Sequence, residues 1–294
     1  MIGETRFLKN KHKAWFYLTP AVIIVLFLVG YGMWSAVIQS MQTIGGKWTF
    51  EFYEELFRSD SFLRSLKFTF WITLISTILS LVIGLVLTRI LYRLFQHSFV
   101  KGLVWIPILI PHFVAGYLVF LFLSQSGLLS SLLFQIGLIN DRSMFPILVQ
   151  DTRGVGIILT YVWKEVPFVI LMLLPVYYEI DHRYSEVVRT LGGSKWDEFK
   201  TVEWPWLLPI LLEVAIILIA FVSTAFEVPY LLGVTRPEML PVHAFDWFYS
   251  GDWSNRPLAF AAMIIPGGVS LLLAGISFKL IQKHRLRLIK GRVR

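Results

Sequence analysis

Four residues able to do chemistry stand where the chain is otherwise apolar. They are Tyr161, Lys164 and Glu165 within YVWKEVPF, and Glu227 within AFEVPYLLG. Ionisable groups in apolar stretches of this kind are costly, and they face a cavity or a partner. Glu165 and Glu227, with Tyr161 one turn before Glu165, suit the lining of a polar pathway. An ion pair between spans, Lys164 with Glu227 or Glu213, accounts for the same residues equally. Adjacent helical positions do not face each other, so Lys164 and Glu165 are not expected to point squarely into one cavity. His112, beside Pro111, has no second ligand at a metal spacing. No H-E-x-x-H and no G-x-x-x-x-G-K-[ST] occurs, so neither a zinc-hydrolase motif nor an ATP-binding loop is carried by the chain. With no cysteine, disulfides, thiolate metal sites and cysteine nucleophiles are excluded.

The elements that must hold these groups are membrane helices. Of the 294 residues, 56% are hydrophobic and 16% are charged, against about 25% charged in a soluble globular chain. Mean hydropathy is +0.68. Six segments reach the roughly 20 apolar residues that a spanning helix needs: 14–39, 65–95, 103–125, 155–178, 206–232 and 257–282. Lipid offers the backbone no hydrogen-bond partners, so all six are expected to be helical. The first is too long for a signal peptide and lacks a small-residue cleavage site, so it is read as an uncleaved membrane helix. Pro107, Pro111, Pro167, Pro209 and Pro266 fall inside spans. Each removes a backbone donor, which serves ordinary bundle packing or hinges.

Lys and Arg set the orientation. With both termini in the cytoplasm, eighteen of these residues lie inside and eight outside, as the positive-inside rule requires. The net charge of +8 sits beside the apolar spans and is explained by topology, so no nucleic-acid partner is inferred. Seven basic residues over 279–294 serve as a topology anchor or touch anionic membrane lipid.

Between the fourth and fifth spans lies EVVRTLGGSKWDEFKTVEWP, residues 186–205. Asp181 is a candidate N-cap for a short helix over 182–191. Gly192 and Gly193 end that helix, because glycine enters a left-handed turn without a Cβ penalty. Ser194, with Asp197 three residues on, starts a second helix by a near capping box. Pro205 marks the entry to the fifth span. The result is a polar helix–turn–helix on the membrane surface, shaped to fit a cleft on another protein.

The spacing of Glu186, Gly192, Val202 and Pro205 resembles the EAA loop of binding-protein-dependent ABC importer permeases. Val187 and Val188 stand where that family has Ala-Ala, and Trp204 stands where Leu is usual. The resemblance implies an all-α integral membrane protein with the type I importer permease fold: six transmembrane helices, a five-helix core over about 65–282 and a cytoplasmic coupling hairpin over 179–205, in one domain spanning 1–294. It further implies that Glu186, Val187, Val188, Gly192, Val202 and Pro205 couple to an ATP-binding cassette ATPase dimer, which binds ATP and Mg, this chain holding no cofactor. A second permease, homologous or identical, completes the pathway. An external substrate-binding protein delivers cargo to the loops at 40–64, 126–154 and 233–256. The implied location is the bacterial cytoplasmic membrane.

AFEVPYLLG and PEMLPV look more like the spermidine/putrescine-type permeases than the maltose type. With Glu165 and Glu227 they suggest a polyamine or similar small organic cation, or alternatively a sugar. An ion-coupled secondary transporter explains the intramembrane charge but not the hairpin. An intramembrane enzyme lacks a catalytic pair at helical spacing.

Overall fold

The computed structural model describes residues 2–43, 45–92, 94, 98–181 and 183–291. The side chains of 1–16, 98–101 and 280–294 lie outside that description, and with them the terminal basic runs counted for topology. Among the described residues there are helices and turns but no strand beyond an isolated bridge, Gln42 to Trp48. Among the described residues six helical segments are long and apolar enough to cross a membrane: Tyr17–Gln39, Asp60–Leu91, His112–Gln135, Val155–Glu179, Lys195–Thr224 and Trp253–Lys279.

In chain order the helices are α1 (Ile2–Gln39), α2 (Glu51–Arg58), α3 (Asp60–Leu91), α4 (Ser98–Leu109), α5 (His112–Leu123), α6 (Leu128–Gln135) and α7 (Val155–Glu179). They continue as α8 (Arg183–Thr190), α9 (Lys195–Glu198), α10 (Trp204–Thr224), α11 (Glu227–Leu232), α12 (Leu240–Tyr249) and α13 (Arg256–Gly291). The second span begins earlier than hydropathy indicates, at Asp60, because the Ser59 hydroxyl accepts the Phe62 N–H and caps the helix.

Two spans read as continuous in the sequence are broken. The third is interrupted at Ile110–Pro111, between α4 and α5, because Pro111 has no N–H to continue the helix. The fifth stops at Thr224, and after Ala225 and Phe226 the chain restarts as the short α11. Pro167, Pro209 and Pro266, in contrast, stay inside unbroken helices.

Helix α7 is the most buried span and packs along α3, with α10, α4 and α5 around it. Besides Phe62, Phe68 and Ile72 near its start, the residues that α3 buries are small and mostly hydroxylic: Ser65, Thr69, Thr73, Ser76, Thr77, Ser80, Gly84 and Thr88. In lipid, helices associate through close packing rather than hydrophobic contrast, and small residues let backbones approach. At Gly84 the approach is close, since a Cβ there would lie 2.6 Å from the Val169 Cβ. Helix α1 touches mainly α13 and leaves its apolar side chains from Tyr17 to Trp34 exposed, as a lipid-facing helix does.

Candidate functional sites

The first candidate is the hairpin joining α7 to α10. The carboxylate of Asp181 accepts the Arg183 backbone N–H and also pairs with the Arg183 side chain, which raises the guanidinium pKa above its ordinary value. Residue 182, the expected helix start, lies outside the described residues. Helix α8 ends in a Schellman turn. The Gly193 N–H donates to Val188 O and the Gly192 N–H to Arg189 O, both at 2.9 Å. Gly192 holds φ +79°, the left-handed region that favours glycine. A Cβ on Gly193 would meet Val188 Cγ1 at 2.6 Å and Val188 O at 2.9 Å. Sequence reasoning used Gly193 only as a helix stop, but it is the sterically tighter of the two.

At the second limb the Ser194 hydroxyl accepts the Asp197 N–H, and the Asp197 carboxylate accepts the Ser194 N–H, a complete capping box. Arg189 pairs with Glu198 at 3.0 Å and ties the two limbs together. The predicted coupling residues then divide by exposure. Glu186 and Val187 point outward, beside exposed Tyr184, Leu191 and Trp196. Val188 and Val202 turn inward against the core at this end of α7 and α10. Pro205 is half-buried, at the first turn of α10. It follows a five-residue π-helical turn, Phe199–Glu203, in which the Trp204 N–H reaches Phe199 O.

That π turn points Glu203 inward, where sequence reasoning did not look. The buried Glu203 carboxylate accepts Arg89 Nε at 3.0 and 3.2 Å and the Tyr177 hydroxyl at 3.1 Å. Arg89 also donates to Lys195 O at 3.1 Å, and its guanidinium lies 4.8 Å from the Phe199 ring centre. Helix α3, α7 and the hairpin therefore meet in one polar cluster.

The second candidate lies along α7, α5 and the α10–α11 break. Tyr161 is fully buried, and its ring meets Phe221 edge-on at 6.5 Å. Glu165 is nearly buried and pairs with His112 Nε2 at 3.3 Å. The His112 ring in turn lies 4.8 Å from Phe221. His112, read from the sequence as a lone histidine, is thus the partner of a predicted pathway residue. Glu227 is exposed at the start of α11, beside Phe226, whose ring stacks on Tyr230 at 4.9 Å and meets Phe245 at a tilt, 4.7 Å between centres.

Lys164 is turned away from this group. It is buried and its ammonium donates to Pro107 O and Ile110 O. The geometry has a direct reason. An N–H at position 111 would bond Pro107 O in a continuous helix, and proline has none. Lys164 supplies the missing donor. The pairing considered from the sequence, with Glu227 or Glu213, is not the one found, because the carbonyls freed by the break at Pro111 are its donors' targets. Among the described residues no group of three or more His, Asp or Glu is placed to hold a metal ion.

The bundle superposes on a bacterial ABC transporter involved in the import of the acidic polysaccharide alginate, with a TM-score of 0.75 over 95% of this chain and 99% of that one. Identity is 20%, so the likeness is one of fold. The spermidine/putrescine transport system permease protein PotB of Haemophilus influenzae is 25% identical over 56% of this chain. The molybdate/tungstate transport system permease protein WtpB of Thermococcus kodakarensis is 26% identical over 60% of it. The matched region spans 54% and 62% of those two relatives. A family model for binding-protein-dependent transport system inner membrane components matches residues 80–290, which include α7, the hairpin, α10 and most of α13. The chain belongs to the family of binding-protein-dependent transport system inner membrane components.

Proposed function

We propose that this chain is the permease subunit of an ATP-driven importer. It forms half of a translocation pathway with a second permease, identical or homologous, in a bacterial cytoplasmic membrane, both termini inside. The observation that carries this reading is the hairpin. Its turn and both limbs are internally hydrogen-bonded, yet it presents Glu186, Val187, Leu191 and Trp196 outward from a membrane bundle. A rigid knob with an apolar face and a carboxylate suits a cleft on a partner ATPase that holds ATP and Mg. An external binding protein would deliver the cargo. Alternating access follows: nucleotide draws the hairpins together and the far end of the pathway opens.

The cargo is proposed to be a small organic cation such as a polyamine. Exposed Glu227 adjoins Phe226 in a cluster of three aromatic rings: Phe226 stacks on Tyr230 and tilts against Phe245, and Tyr230 meets Phe245 edge-on. A carboxylate with aromatic faces attracts an ammonium through charge and ring quadrupole together. The relatives named above differ in cargo, one a polyamine and the other an oxyanion, so the fold does not choose. Aromatic faces also suit a sugar ring, which is the second reading.

The test is purification of the tagged chain in mild detergent with its partners identified by mass spectrometry, followed by ATP-driven uptake of labelled spermidine or maltotriose. A Walker-motif ATPase and a second permease should co-purify, and Glu186→Ala or Gly192→Asp should weaken the ATPase association. A chain that comes alone while a control importer stays intact, or uptake driven by an ion gradient without ATP, refutes the importer reading. Uptake of maltotriose but not spermidine refutes the cation alone.

A further inference from the structure

We infer that Arg89 and Glu203 are positioning residues that make the hairpin and the inner ends of α3 and α7 move as one body. The inference rests on the coupling role proposed for the hairpin and names the route by which its motion enters the bundle.

Three features support it. First, the pair is placed at a junction of three elements. Arg89 comes from α3, Glu203 from the π turn that ends the hairpin, and Tyr177 from α7. Second, the cluster is rigid. The carboxylate accepts the Arg89 Nε–H, shared between its two oxygens, and the Tyr177 O–H; the guanidinium donates to one carbonyl and lies over one ring face, and Tyr177 is stacked on Tyr92 at 5.4 Å. A guanidinium held at several points has little freedom left, unlike a lysine in the same place. Third, the backbone is bent to make it. The π turn inserts one extra residue, which rotates Glu203 from the course of a regular helix into the bundle. Such turns are frequent at functional sites.

Stability alone does not explain the arrangement. A buried ion pair is often replaceable by apolar residues at no cost in stability. The hairpin could be held by Val188, Phe199 and Val202, which already pack on this core. Apolar contacts of that kind permit sliding, whereas a carboxylate fixed by two elements does not. A sliding hairpin would let the ATPase move without moving the spans.

The experiment uses the assembled transporter in nanodiscs and needs no knowledge of the cargo. Because the chain has no cysteine, Thr224→Cys, exposed at the α10–α11 break, reports pathway opening by its rate of thiol modification with and without ATP. In the Thr224→Cys chain alone, ATP should change that rate. The double variant R89M/E203M avoids leaving one charge unpaired, so it should fold and keep its ATPase. The expected result is an ATP response reduced roughly five- to tenfold, within the range of ordinary site-to-site coupling, while ATP is still hydrolysed. An unchanged response overturns the inference and leaves the pair a structural contact. Loss of ATPase association in the double variant also overturns it, since the pair would then act on docking. If the Thr224→Cys chain itself binds no ATPase, the coupling reading fails and this inference with it.

Discussion

Replacing Lys164 by methionine should destabilise the bundle, and replacing Pro111 as well should recover part of the loss. Lys164→Met keeps an unbranched, flexible side chain, one atom shorter, and removes the donors to Pro107 O and Ile110 O. Each orphaned buried acceptor costs about 1–3 kcal/mol. Release from burying an ammonium offsets part of this, and polar contacts in membrane bundles are often worth less, about 0.6 kcal/mol on average. A net loss of about 2 kcal/mol follows. For a protein of this size each kcal/mol moves the melting point by about 2–4 °C, so the drop should be about 4–8 °C. Pro111→Ala in the same background restores an N–H one turn from Pro107 O and should regain about half. The assay is thermal unfolding of the detergent-solubilised chain at a fixed heating rate, because the midpoint of an irreversible transition depends on the scan rate. A melting point within about 2 °C of the parent for Lys164→Met refutes the reasoning, since the ammonium would then not be holding the break. Altered transport with unaltered melting would instead return Lys164 to the pathway.

Two more predictions follow from glycines. Gly193→Ala should disturb the hairpin more than Gly192→Ala, although Gly192 has the positive φ. The new methyl at 193 meets the Val188 side chain and carbonyl, whereas at 192 it meets open space and costs only the left-handed strain of about 1–2 kcal/mol; amide exchange over residues 188–198 measures both, and equal protection contradicts the steric account. Gly84→Ala should separate α3 from α7 at a cost of about 1–3 kcal/mol, and Val169→Ala in the same chain should recover much of it; a melting point unchanged by Gly84→Ala would show that the helices cross less closely.

The amino-acid sequence determined the class of protein and the hairpin, because both rest on local information. Span lengths follow from runs of apolar residues. The turn at Gly192 and Gly193 and the Ser194–Asp197 capping box use contacts a few residues apart, and the structure has both. Span continuity was misread at Pro111 and Thr224, since hydropathy does not register a break whose carbonyls find donors elsewhere. What tertiary structure alone decided is which polar residues meet. Glu165 meets His112 across 53 residues, Lys164 meets Pro107 across 57, and Arg89 meets Glu203 across 114. No periodicity announces these pairs. A soluble helix shows its inner face by being apolar there and polar outside. A membrane helix is apolar on both, because lipid is as apolar as the packed core. The sequence therefore showed that these charges lie within spans, and only the packing of α3, α5, α7 and α10 showed what each one faces.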